Sequence, residues 1–392
     1  MQPVRSLERQ SGRGQRGQIL VIAALAMVVM IGGVSLVLEA GNAYAHQRVA
    51  QNAVDAVANA GATVLAERLG GTPRTDADVL AAMNGMATAN QLDTYTAYYT
   101  NLEGSLLKPD GAVTIDSSTA EMVGLADGGD ATIPPTTRGV RVGGSQAFGT
   151  TFARAIGINQ FTASADATAR TGPLTGGQFM PVVFPVSPTN CDGSGGLADG
   201  NIDSPWRMSN PNLVDPALHP VGQEWIVPLC KTGGGSFMIL DLDPSKNCYQ
   251  EVMNPSSIQW DEFPVDVPTD PGNDCATKIS NAVDDAHLQG TVVEIPICDE
   301  NCSTEHGSGG TFHITRIAAF YLDYISYSNN PNNSACKLTT SPNYPDSSLL
   351  NILGSNGSSS CLVGWFVRYI TSGPVGSGEI VHGEALGVQL IR

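Results

Sequence analysis

Basic residues are scarce in this 392-residue chain, which carries 20 Lys and Arg against 37 Asp and Glu, for a formal net charge of −17 at pH 7. Four arginines lie in the first 38 residues, so residues 39–392 hold 16 basic and 36 acidic side chains. Such an acidic surface repels nucleic-acid phosphates and anionic lipid headgroups. We therefore exclude both as ligands and interpret the charge as a source of solubility.

The sequence also lacks the motifs that mark common catalytic sites. It contains no G-x-S-x-G, no H-E-x-x-H, no P-loop and no dinucleotide-binding glycine pattern. Its six histidines are scattered along the chain. We therefore predict a protein that is not an enzyme, with no catalytic residues, no cofactor, no metal and no small-molecule substrate.

Cysteine is missing from the first 190 residues. All eight cysteines follow: Cys191, Cys230, Cys248, Cys275, Cys298, Cys302, Cys336 and Cys361. An even set confined to one region is typical of disulfides in an exported domain, although their pairing stays open. A zinc site is the competing interpretation. The Cys298-x-x-x-Cys302 pair has no second close pair to complete a ligand set, so we favour disulfides.

Residues 19–38, ILVIAALAMVVMIGGVSLVL, form a long run without a single charge. As a helix rising about 1.5 Å per residue, the run spans roughly 30 Å, the thickness of a bilayer's hydrocarbon core. The preceding arginines favour a cytoplasmic N-terminus over residues 1–18 and an extracytoplasmic bulk. The sequence therefore predicts a single-pass membrane protein.

Two kinds of processing compete with this uncleaved anchor. Ala43-Tyr44-Ala45 has the form that signal peptidase accepts, but the apolar run exceeds the usual length of about 7–15 residues in a signal peptide. Cleavage after Gly17 would resemble prepilin processing, but Ile22 stands where type IV pilins have a glutamate. We favour the anchor.

The helix is predicted to continue beyond the membrane. Residues 39–69 contain no proline and are rich in alanine, the strongest helix former. Small apolar residues recur every three or four positions and form a stripe: Ala50, Val54, Val57, Gly61 and Val64. The stripe packs either on the chain's own domain or on a helix of a second protein. A second helix is predicted over residues 75–91, with Thr75 as its cap.

The basic residue and glycine before the span, and the segment EAGNAYAHQRVAQNAVDAVANAGA after it, resemble the N-terminal module of TadE/TadG-like Flp pilus-assembly proteins. The positions that fit this pattern are Gly17, Glu39, Gly41, Tyr44, Arg48, Gln51, Asn52, Asp55, Gly61 and Ala62. The resemblance implies a bacterial cytoplasmic-membrane protein with other Tad pilus-assembly proteins or pilin-like subunits as partners. It implies a partner-binding helix carrying Glu39, Tyr44, Gln51, Asn52, Asp55 and Gly61.

The resemblance extends more loosely to residues 138–170, which read as a strand, a short helix and an alternating alanine-rich strand. Phe161, Ala163, Ala165, Ala167 and Ala169 alternate with polar residues and would form the buried side of that strand. From residue 172 onward, short apolar runs punctuated by Gly and Pro predict a β-rich domain.

Together these patterns predict an α+β fold. Its single transmembrane helix (residues 19–38) continues into a long alanine-rich helix packed on a small sheet (39–171). A β-rich domain with eight cysteines follows (172–392).

Two functions remain open on the sequence, with a secreted hydrolase as a third and weaker alternative. The first is a non-enzymatic accessory or minor pseudopilin-like component of Tad/Flp-type pilus assembly, which acts by helix packing and extracytoplasmic protein contacts. The second is a surface-tethered or secreted adhesin or glycan-binding module that uses the same anchor only as a tether. The resemblance favours the first.

Overall fold

The computed structural model describes residues 15–124, 132–185, 225–229, 231–232, 235–236, 239–270, 275–298, 310–326, 360–367, 369–378, 380 and 384–391. Within these ranges the fold is α+β, as the sequence predicts. The helices are α1 (Gln15–Leu69), α2 (Asp76–Ala89), α3 (Cys248–Met253) and α4 (Cys275–Asp285), with a 3₁₀ turn at Ala153–Ile156.

The strands follow in chain order. They are β1 (Thr94–Thr100), β2 (Leu106–Leu107), β3 (Val113–Thr114), β4 (Gly139–Gly149), β5 (Gln160–Pro173), β6 (Gly176–Gly177), β7 (Phe184–Pro185), β8 (Trp225–Leu229), β9 (Lys231–Thr232), β10 (Gly235–Ser236), β11 (Ile258–Gln259), β12 (Val265–Pro268), β13 (Thr291–Cys298), β14 (Thr311–Ser326), β15 (Ser360–Val367), β16 (Ile370–Ser372) and β17 (Leu386–Ile391).

A seven-stranded sheet carries the N-terminal half of the fold, in the order β16-β17-β5-β4-β1-β2-β3. Strands β4 and β5 form its longest pairing, an antiparallel hairpin in register from Gly139↔Arg170 to Gly149↔Gln160. The alanines of β5 point to one face, where Ala163, Ala167 and Ala169 are buried. This confirms the predicted low-volume buried side at the alanines, whereas Phe161, predicted on the same side, is 37% exposed because it lies at the tip end of the strand.

Helix α1 lies across that alanine-lined face. Ala50, Val54 and Val57 are fully buried, and the core that α1 enters also contains side chains of α2 and β4. A Cβ added at Gly61 would lie 3.0 Å from both Met83 Sδ and Val140 Cγ2. The small-residue stripe therefore packs on the chain's own domain, and its lack of side-chain volume lets the helix approach the sheet closely.

Helix α2 is fastened to the same core at its first turn. Thr75 caps it, and the Thr75 and Asp78 side chains form a reciprocal capping box. The buried Tyr99 hydroxyl donates a hydrogen bond of 2.6 Å to Asp76 Oδ1. Burial and the neighbouring Asp76 raise the pKa of Tyr99, so the phenol stays protonated and keeps donating. Asp76 therefore ties the start of α2 to strand β1.

A second, six-stranded sheet forms the β-rich part, with the path β7-β13-β14-β15-β8 and β12 paired to β14. Helices α3 and α4 pack on it and are joined by a disulfide between Cys248 and Cys275. Cys298, at the end of β13, is also disulfide-bonded. Cys361 lies on β15, and the remaining four cysteines, at positions 191, 230, 302 and 336, lie outside the described residues.

The end of the chain returns to the first sheet. Strand β17 pairs antiparallel with β5, from Leu386↔Pro173 to Ile391↔Thr168, and β16 pairs parallel with β17. The division of the chain at residues 171 and 172 stays a prediction. The sheet on which α1 packs nevertheless takes strands from both sides of that point.

The predicted membrane segment is the first part of α1. Among the described residues, Leu20–Leu69 is the one helix long and apolar enough to cross a membrane, with a mean hydropathy of 2.7 in a window that is 0% buried. Its large apolar side chains are open to the surroundings, from Leu20 at 72% exposed to Leu38 at 54%. Within the part of the chain that the structure describes, nothing covers this apolar surface, and its length and composition suit a lipid environment.

Candidate interaction site on the juxtamembrane helix

The environment of α1 changes abruptly at Glu39. Leu38 is 54% exposed, whereas Glu39 is 8% exposed. The Glu39 carboxylate accepts hydrogen bonds from the backbone amides of Thr151 and Phe152, with N···O distances of 3.2 and 2.9 Å. These amides belong to the connection between β4 and β5. Glu39 therefore marks where the apolar span ends and the folded domain begins.

Tyr44 and Arg48 lie on the outward side of α1. The Tyr44 side chain is 67% exposed, and the Arg48 guanidinium carbon lies 6.0 Å from the centroid of its ring. A cation over an aromatic ring at this distance is a favourable but weak contact when exposed to solvent. The pair leaves most of the Tyr44 ring accessible.

Gln51 faces the sheet. Its Nε2 donates hydrogen bonds to Asp55 Oδ1 at 2.8 Å and to the backbone oxygen of Asp166 at 3.0 Å. One helical turn earlier, Gln47 Nε2 donates to the backbone oxygen of Ser164 at 2.6 Å. Among the described strands none pairs with residues 160–167 of β5 on the side away from β4. The two glutamines therefore satisfy carbonyl groups that this open strand edge presents.

The remaining two predicted positions lie in opposite environments. Asn52 is exposed, whereas Gly61 is buried against α2 and β4. The six predicted site residues thus do not form one surface: Tyr44 and Asn52 face outward, Glu39, Gln51 and Gly61 face the protein, and Asp55 is intermediate. Sequence reasoning missed Gln47, for which the available signal was its position four residues before Gln51.

The outward face of α1 continues the exposed surface of the apolar segment. Gly41, Tyr44, Arg48 and Asn52 are all exposed and are separated by three or four residues. Residues at this spacing lie above one another on one side of a helix. The face carries a glycine, an aromatic ring, a guanidinium and an amide, which together can pack closely and form hydrogen bonds with another chain.

A cavity of about 370 Å³ lies apart from α1, between the two sheets, and two carboxyl groups line it. Burial raises the pKa of both Glu251 and Glu294 to about 7. Glu251 Oε1 accepts hydrogen bonds from the amides of Leu242 and Asp243 at 2.7 and 2.8 Å. Both carboxyl groups therefore titrate near neutral pH.

One cluster has the composition of a metal site, namely Cys248, Cys275 and Asp270. The two sulfur atoms are joined in the disulfide. They therefore supply no thiolates for a metal, and we assign this cluster a structural role.

Comparison with known proteins concerns the N-terminal helix alone. No curated protein and no solved structure matches the chain. Residues 17–64, which cover the span, the Glu39 junction and the outward face, match the family described as putative Flp pilus-assembly TadE/G-like.

Proposed function

We propose that this protein is a membrane-anchored, non-enzymatic component of a Tad/Flp-type pilus-assembly apparatus. In this proposal the span holds the chain in the bacterial cytoplasmic membrane. The outward face of the juxtamembrane helix contacts other Tad proteins or pilin-like subunits, and the extracytoplasmic sheets provide further protein contacts. An accessory or minor pseudopilin-like role is the form of this function that we favour.

One observation carries the proposal. The family match covers the apolar span and the juxtamembrane helix together, and it ends at residue 64, within α1. Within the matched segment, the inward residues already have partners in the chain's own sheet. Tyr44, Arg48 and Asn52 are the matched side chains on the outward face, so a partner that recognises the module would contact them.

The proposed orientation places residues 1–18 in the cytoplasm and both sheets outside it. Four arginines precede the span, which is the arrangement that positive-inside insertion favours. The Cys248–Cys275 disulfide supports the same orientation, because disulfides persist in oxidising compartments outside the cytoplasm.

The outward face can be tested with the double variant Tyr44→Ala/Asn52→Arg, which removes the exposed ring and adds a long charged side chain. Both positions are exposed, so the fold should lose no more than about 0.5 kcal/mol. In cells whose only copy is the variant, we expect pili to be lost and cross-linked complexes in the membrane to fall by about tenfold.

The matched control is Met86→Ala/Val113→Arg, which makes the same kinds of change at exposed positions on α2 and β3, 44% and 55% exposed. This control should leave piliation and complexes as in the wild type. Unchanged pili and complexes in the Tyr44→Ala/Asn52→Arg variant would refute a role of this face in assembly. A soluble ligand that still bound to that variant would favour the adhesin alternative.

A further inference from the structure

The connection between β4 and β5 forms a compact tip beside the end of the membrane span. We call residues 150–161 the hairpin tip. The Thr150 hydroxyl donates a hydrogen bond to the backbone oxygen of Ile158, which closes the tip on itself. The amides of Thr151 and Phe152 are held by the Glu39 carboxylate. The hairpin tip is therefore fixed at the level of α1 where the lipid-exposed segment ends.

The hairpin tip exposes large apolar side chains although it belongs to a folded domain. Phe152, Ile158 and Phe161 are 40%, 41% and 37% exposed. Outside the span, the other large apolar residues with comparable exposure in the described chain are scattered along α1, α2 and the β3 region, at Tyr44, Val49, Met86, Val113 and Ile115. Three within twelve residues form a concentration, which is typical of an interaction surface.

The charge around the hairpin tip differs from that of the rest of the domain. Residues 131–165 contain three arginines, including Arg154 within the tip, and no Asp or Glu, whereas residues 39–392 as a whole carry 36 acidic and 16 basic side chains. A surface that approaches lipid headgroups meets less repulsion when it lacks carboxylates. Of the carboxylates at this end of the sheet, Glu39 is buried against the amides of Thr151 and Phe152, and the exposed Asp93 accepts a hydrogen bond from the amide of Ala147.

The strands run along α1, so the hairpin tip is the end of the sheet nearest to the membrane. Gln47 bonds to Ser164 and Gln51 bonds to Asp166. Four helical residues rise about 6 Å, and two strand residues rise about 7 Å, so the two elements advance together. Further along, Gly61 of α1 faces Val140, near the opposite end of β4. The sheet therefore extends away from the bilayer, with the hairpin tip toward it.

We propose that the hairpin tip is a second membrane attachment, which inserts Phe152, Ile158 and Phe161 into the interfacial region of the leaflet at which the span ends, beside Glu39. The contact is apolar and does not require recognition of an anionic headgroup. Aromatic and aliphatic side chains at this depth remove apolar surface from water. Glu39 links the two attachments by its hydrogen bonds to the hairpin tip. The domain therefore keeps a fixed tilt and a fixed rotation about α1 relative to the membrane. This fixes the direction in which the outward face of the helix points.

The test uses the full-length chain in phosphatidylcholine vesicles, with a genetically encoded fluorescent amino acid replacing Phe152 or, in a second variant, Phe161. The control replaces Ile115, which is fully exposed and follows β3 at the far end of the sheet. The quencher is phosphatidylcholine labelled with doxyl at carbon 5 of the acyl chain. It labels both leaflets, so the direction of insertion into the vesicle does not matter.

We expect the probes at positions 152 and 161 to be quenched at least about twofold more than the probe at position 115, since interfacial segments lie at the depth of this label. Equal quenching at all three positions, in variants that keep the wild-type thermal transition, would overturn the proposal. Quenching at position 161 alone would still support it if the probe at 152 disturbs the fold. No other pilus protein is present, so failure of this test is distinct from failure of the assembly role.

Discussion

The two halves of helix α1 are both apolar, yet they are built from different residues for different surroundings. The half before Glu39 carries large side chains, such as Leu25, Met27 and Val29, and each is more than half exposed. The half after Glu39 buries mainly alanine and valine, with Gly61 at the closest approach. Lipid adapts to any apolar shape, whereas a folded sheet accepts only side chains that fit it. Hydrophobicity is therefore sufficient for the first half, and the second half also requires small volume.

Adding side-chain volume to each half of α1 tests this difference most strongly. We expect Gly61→Leu to destabilise the domain by about 3 kcal/mol or to prevent folding, because overpacking forces neighbouring groups to shift. The matched variant is Gly33→Leu in the span, where an added Cβ meets nothing within 4 Å. Pulse proteolysis in detergent across a urea series would measure both. Equal stability of the two variants would contradict the proposed tight packing at Gly61.

A second variant pair compares buried and exposed hydrogen bonds of α2. Tyr99→Phe removes the donor to the buried Asp76, and we expect a cost of about 2 kcal/mol since the carboxylate loses a partner it cannot replace with water. Tyr95→Phe removes the bond from the Tyr95 hydroxyl to Asn84 Oδ1 of 2.7 Å, which is exposed. Its expected cost is below about 1 kcal/mol. The free energy of unfolding measures both, and a larger loss for Tyr95→Phe would contradict the assignment of Asp76 as an anchor.

A pH series measures how two carboxyl groups of the β-rich part, Glu251 and Glu294, affect the free energy of unfolding. Burial raises the pKa of Glu251 and Glu294 from 4.5 to about 7, so between these values the folded protein holds protons that the unfolded chain releases. Their contribution to stability is therefore full below about pH 4.5 and is lost as the pH rises through about 7.

We expect the free energy of unfolding to fall by at least about 1 kcal/mol between pH 5 and pH 8 from these two groups. Denaturant unfolding at each pH provides the measurement. The double variant Glu251→Gln/Glu294→Gln should lose this part of the slope. A slope unchanged by that double variant would show that other groups cause it.

The smallest expected effect lies at the boundary between the two halves of α1. Glu39→Ala removes the acceptor for the amides of Thr151 and Phe152. We expect a local cost of about 1 kcal/mol and amide hydrogen exchange about fivefold faster at these two positions. Glu39→Gln keeps one side-chain oxygen and should show a smaller change. Exchange at the β4–β1 pairing, away from the hairpin tip, is the internal reference and should not change.

The helical parts were predicted well because their signals are local. The apolar run, the alanine-rich continuation and the Thr75 cap each depend on residues within a few positions of one another. The alternation of apolar and polar residues along β5 is an equally local signal, because successive side chains of a strand point to opposite faces. The stripe alone does not distinguish packing on the chain's own domain from packing on a second protein.

The predicted site was less successful as a single surface. Gln51 fits the family pattern, but its position in the sequence does not reveal that it bonds to a backbone oxygen of β5, 115 residues away. Gln47, which makes the equivalent bond, carries no distinguishing motif. The proposed partner-binding role of these positions stays a prediction for Tyr44 and Asn52, the two that face outward.

Composition and short-range periodicity identify the segment that is apolar and long enough to cross a membrane, the segment that continues as helix and the strand with a small-residue face. Three features required the folded structure: β17 pairs with β5 in the first sheet, Cys248 joins Cys275, and the hairpin tip lies beside Glu39. Those outcomes depend on contacts between residues far apart in the chain. Many distant pairings are compatible with the same local pattern, and the packing of the whole core selects one of them.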